Sequence, residues 1–220
     1  MFLLRGSAEK QGGWKSLGTP SHLFLAAIAV GAFGSVLLAY NRRGLIPLGV
    51  AAAGLHALQI LLVRGHARNG QEKRSLSAEI VGTTLLSLAA PAAWVAARGR
   101  WEALALEIWL LNLAFFLGGV LYVKYRVRGL LAHEDFAELE RRAAFAWPVL
   151  VYHLLLVAFL AAAAILDSLS GMVVVAFVPG ALRALALLFQ LGRRFAIRRL
   201  GWSEIAHAVL FAVLLLMALR

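Results

Sequence analysis

The chain has 220 residues, 62% of them hydrophobic, a net charge of +11 and no cysteine. The missing cysteines exclude disulfides, thiolate metal sites, cysteine nucleophiles and covalently attached c-type haem. Mean hydropathy is +0.81, and the cations sit between apolar blocks, so the basic balance speaks for membrane headgroups and not for nucleic acid.

The apolar blocks run for about 20 residues, enough to cross a hydrocarbon core. Lipid offers no hydrogen bonds, so such blocks must be helices or strands of a closed barrel. Barrel strands alternate polar and apolar residues, and these blocks do not. In chain order the pattern predicts helices at 22–41, 45–64, 78–97, 103–123, 146–166, 171–191 and 203–219. The expected fold is all-α: a polytopic transmembrane bundle of about seven spans, with residues 1–21 as a cytoplasmic segment and 22–220 as one bundle. Residues 1–20 show no apolar core followed by a small-residue cleavage site, so no cleavable signal is expected.

The links Asn41–Gly44 and Asp167–Gly171 are short enough to form helical hairpins. The segment from Arg126 to Arg142 reads as the one sizeable polar loop, with a turn or two of helix expected before the fifth span. With the N-terminus inside, the inner segments carry sixteen lysines and arginines and the outer ones five. That bias orients the bundle.

Ionisable groups at membrane depth are functional candidates. Arg183 falls near the middle of the sixth span, just after Pro179 and Gly180. A guanidinium binds carboxylate or phosphate through paired hydrogen bonds, so Arg183 is either an anion anchor or half of a buried ion pair, with Glu204 as the expected partner. Glu204 and His207 share one helical face at the start of the seventh span, where Ser203 reads as the N-cap. Glu-x-x-His also occurs in di-metal carboxylate proteins, but the chain has no second such pair, so no metal site is expected. His153 in the fifth span lies at similar depth, Asn112 is close to the midplane of the fourth, and His56 is central in the second. Histidines on two spans could ligate a haem b, although a lone membrane histidine is more often a packing residue.

From the third span onward the chain resembles the YwiC-like family of bacterial membrane proteins. The likeness is carried by Leu88–Trp94, by Trp109–Asn112 running into Gly118–Lys124, by Tyr152-His153, by Pro179–Leu185 and by Gly201–His207. The Glu-His-Gly first helix usual in that family is missing here. The family has a distant likeness to UbiA-type prenyltransferase bundles, whose Asp-x-x-x-Asp motifs hold Mg²⁺ and a prenyl diphosphate. This chain has two aspartates, Asp135 and Asp167, in separate loops. The resemblance therefore implies a fold and a lipid cavity and not that chemistry.

The leading expectation is a multi-pass protein of the cell membrane. It binds a membrane lipid, isoprenoid or quinone in a cytoplasmic-side pocket formed by Arg183, Glu204, His207, His153 and Asn112. A prenyl-transfer enzyme with altered motifs remains open as a second reading. So does an accessory or haem-binding subunit that partners a respiratory membrane complex.

Overall fold

An apolar segment in lipid must satisfy its backbone within itself, and the described spans do so as helices. The computed structural model describes residues 34, 41–68, 76–132, 136–193 and 195–219, with the backbone alone for 66–68. The expected cytoplasmic segment 1–21 and, apart from residues 34 and 41, the expected first span lie outside these. A 3₁₀ turn at Arg43–Leu45 leads into α1 (Ile46–Arg68). There follow α2 (Leu76–Ser87), α3 (Ala89–Arg98), α4 (Ala103–Leu131), α5 (Leu139–Ile165), α6 (Gly171–Gln190) and α7 (Ile197–Ala218). Among the described residues six segments are long and apolar enough to cross a membrane, α2 and α3 together forming one of them. These are the second to seventh expected spans.

The third span is broken where a single helix was expected. Pro91 has no N–H, so the Ser87 carbonyl loses its helical donor, and the helix interrupts at Leu88. Ser87 is fully buried at the break. Its hydroxyl donates to the Thr84 carbonyl at 2.8 Å and accepts from Trp109 Nε1 at 3.0 Å. Pro148 and Pro179 sit inside α5 and α6 without ending them.

Three boundaries differ from expectation toward the basic end of the bundle. Helix α4 runs on to Leu131, because Lys and Arg are good helix formers and their stems cover apolar surface. The polar loop expected from Arg126 to Arg142 shrinks to the stretch between α4 and α5. Helix α7 begins six residues early, so Ser203 is not its N-cap; the Ser203 hydroxyl donates back to Leu200 within the helix at 2.7 Å. Ser170, by contrast, does cap α6, accepting from the Met172 N–H at 3.3 Å.

Helix α4 packs on α2, α3, α5 and α6, and α6 packs in turn on α5 and α7. Two apolar cores form among α4–α7, besides a third of Leu45, Leu48, Leu88 and Val95. One holds Leu111, Leu160, Phe177, Phe211 and Leu215. The other holds Tyr122, Val149, Ala184, Leu187 and Leu191 toward the basic end. Outward-facing residues such as Leu86, Phe159 and Ile165 are largely exposed. Apolar exposure on this scale suits lipid, where burial against protein brings no hydrophobic gain. A polar layer lies between the two cores.

Candidate functional site

Arg183 stands one turn beyond Pro179 on α6 and reaches across to α7. Its Nη2 pairs with Glu204 Oε1, and its Nη1 lies 3.3 Å from Glu204 Oε2. The same Nη1 donates to His207 Nδ1 at 2.6 Å. The guanidinium also lies over the Tyr122 ring from α4, 4.3 Å from its centroid. The expected partner of Arg183 is therefore the one the structure shows. Because both oxygens of Glu204 and one nitrogen of His207 engage Arg183, the Glu-x-x-His spacing serves an ion-pair cluster. Among the described residues no three of His, Cys, Asp and Glu converge to hold a metal ion.

The hydrogen bonds fix the two imidazoles of the layer. A guanidinium can only donate, so His207 Nδ1 is the acceptor and the ring is neutral with its proton on Nε2. His153 Nδ1 lies 2.8 Å from the Val149 carbonyl. A carbonyl can only accept, so here Nδ1 carries a proton, and in the neutral ring Nε2 is then the bare nitrogen. His207 Nε2 is buried and meets no hydrogen-bond partner among the described residues.

Both rings wall a cavity of about 20 Å³ together with Phe115, Gly118, Gly180 and Arg183. That is room for about one water molecule. Glycine makes the space: a Cβ on Gly118 would stand 3.0 Å from His153 Nε2, and one on Gly180 would stand 3.7 Å from His207 Nε2. Phe115 stacks on Phe211 at 3.9 Å and tilts against His207 at 4.9 Å.

Phe115 and Gly119 also wall a second, much larger space, a groove of about 1070 Å³ between α4 and α7. Its sides are apolar, with Val120, Val123, Ile205 and Ala208 among them. Its polar groups are Glu204 and, on the other side, Glu79 of α2 paired with Lys124 of α4. Arg128 lies at the basic end of the groove, its guanidinium 5.7 Å from the Tyr125 ring.

Of the five expected site residues the structure brings four together: Arg183, Glu204, His207 and His153. Asn112 is not brought to them. Its amide donates to the Ile108 carbonyl at 2.8 Å, one turn back on α4, and it walls neither space. His56 is exposed on α1 and also walls neither.

The sequence reading missed Tyr122, the glycines as cavity makers, and the Glu79–Lys124 pair. Opposite charges at similar depth on two spans were the signal for that pair. It also missed Arg126, which is 6% exposed. Arg126 donates to the Gln190 carbonyl and stacks on Phe195 at 4.5 Å. Arg142 donates to the Phe136 carbonyl and reaches the Leu188 carbonyl at 3.4 Å. These two arginines meet the orphan carbonyls and the negative dipole end of α6.

No protein-family model, no curated protein and no solved structure matches this chain; its fold and composition are those of a multi-pass α-helical membrane protein.

Proposed function

We infer that this is a cell-membrane protein that binds an apolar, chain-like ligand (an isoprenoid, a quinone or a lipid) in the groove between α4 and α7, its head at the Arg183–Glu204–His207 cluster. One observation carries this: an apolar groove of about 1070 Å³ that ends on Glu204, the carboxylate of the cluster. Its size is at the upper end for ligand sites, which are mostly apolar with a few placed polar groups.

The cluster favours a neutral head over an anion. Glu204 already neutralises Arg183, so a phosphate would have to displace a carboxylate. Glu79, the other groove carboxylate, is likewise paired, with Lys124. Carboxylates held by the chain's own cations favour binding over metal-dependent prenyl transfer. The kinship proposed with YwiC-like proteins agrees with a lipid cavity. By the charge bias, the groove opens in the cytoplasmic half.

Mass spectrometry of lipids that co-purify in mild detergent tests the reading. The wild type is expected to carry an isoprenoid, quinone or lipid enriched over the bulk membrane, and Val120→Trp, which narrows the groove, to lose it. An identical lipid profile in the two proteins overturns the reading.

A further inference from the structure

The two cavity imidazoles are complementary. His207 presents a proton on Nε2, because Nδ1 accepts from Arg183. His153 presents a lone pair on Nε2, because Nδ1 donates to Val149. Both rings border a space for about one oxygen atom. The group that satisfies both must accept one hydrogen bond and donate one. A hydroxyl does this. A carbonyl or an ether oxygen accepts from His207 but leaves His153 unmatched, and a phosphate does not fit the space. A buried donor without a partner is costly, and the His207 Nε2 proton is such a donor.

We propose that the cavity is a hydroxyl-binding site, and that the ligand of the groove is an alcohol- or quinol-type molecule whose O–H enters between Phe115 and Gly119 to bridge His207 Nε2 and His153 Nε2. This rests on the groove reading above and names the chemical class of its ligand. Phe115 and Gly119 belong to the walls of both spaces, so a chain lying in the groove has its end at the cavity. A water molecule carries the same donor–acceptor chemistry and is the competing occupant.

The test uses the whole protein in nanodiscs, with histidine side chains labelled with ¹⁵N and farnesol and farnesyl methyl ether as probes. The ¹⁵N shifts are expected to report His153 as the Nδ1–H form and His207 as the Nε2–H form. Farnesol is expected to shift both rings and to bind about tenfold tighter than the ether, the worth of one unmatched hydrogen bond. Gly180→Ala places its methyl group in ordinary contact with His207, 3.5 Å from Cε1. It should fold normally, still bind both probes and lose the preference for the alcohol.

Equal affinity for the two probes leaves the groove reading standing and overturns the hydroxyl site. Binding of neither overturns both. The opposite tautomer on either ring overturns the hydroxyl site. So does a cavity water, seen by magnetisation transfer to the His207 Nε2–H, that saturating farnesol does not displace.

Discussion

Arg183 and His207 meet through one hydrogen bond of 2.6 Å between Nη1 and Nδ1, and that bond decides which nitrogen of His207 holds the proton. A lysine at 183 would keep the charge but not the fork that engages Glu204 and His207 together. The cluster is therefore a device for orienting an imidazole as well as a pair of neutralised charges. Its removal has two separable effects, on stability and on the cavity.

Arg183→Gln leaves Glu204 without its cation at membrane depth. Breaking a half-buried pair from one side costs on the order of 2 kcal/mol. The melting temperature in detergent, followed by differential scanning fluorimetry, should fall by several degrees. The double variant Arg183→Gln/Glu204→Gln removes both charges and should recover much of that loss. A double variant no more stable than the single would show that the pair is not the source.

Arg126→Ala should destabilise by about 2 kcal/mol, because the Gln190 carbonyl then lacks its donor and Phe195 loses the cation over its face. Arg126→Lys should recover little, since a single ammonium cannot donate and stack as a planar guanidinium does. Hydrogen exchange by mass spectrometry should place the loosening at the end of α6 that carries Leu187–Gln190.

The Trp94 indole and the Arg100 guanidinium both donate to Glu102, at 3.1 and 2.8 Å. The Arg100 hydrogen bond chiefly, and the Trp94 bond less, hold the Glu102 carboxyl below the ordinary glutamate range. A lowered folded value means the stabilisation is complete above the unfolded value and fades as pH falls through the folded one. The Trp94 indole N–H resonance should therefore be steady near neutral pH and move upfield in acid. In Glu102→Gln it should not titrate.

The charge bias predicts that the α5–α6 link, with Asp167 and Ser168, faces away from the cytoplasm and that the α4–α5 link faces it. Alkaline phosphatase fused at Ser168 should be active and at Glu138 inactive, with green fluorescent protein giving the reverse. Activity at Glu138 would invert the orientation and with it the side on which the groove opens.

The spans were legible because hydropathy acts on whole helices, and Arg183–Glu204 was legible because an acid and a base at one depth on consecutive helices have little else to meet. Boundaries at the basic end were not. Arg126 and Lys124 read as loop by charge, yet their partners, the Gln190 carbonyl and Glu79, come from other helices. The break at Leu88 was concealed because Pro91 lies in an otherwise unbroken apolar run. Asn112 looked like a site residue by depth alone, and its local bond to Ile108 shows that depth does not give facing. The tautomers of His153 and His207 depend on Val149 and Arg183 as neighbours in space, which no spacing rule contains.

The arginine clamp at the end of α6 separates two moments in the life of the protein. While the chain is being inserted, Lys124, Arg126, Arg128, Arg141 and Arg142 are all unengaged cations, and all can retain this loop on one side. Once the helices have assembled, Lys124 is paired with Glu79, Arg141 with Glu138 at 3.2 Å, and Arg126 and Arg142 are bonded to carbonyls. Two of these five charges are thus neutralised on folding, and two more are tied to carbonyls. The finished surface of this loop attracts anionic headgroups less than five positive charges would, and its orientation is locked by contacts that form after the choice of side has been made.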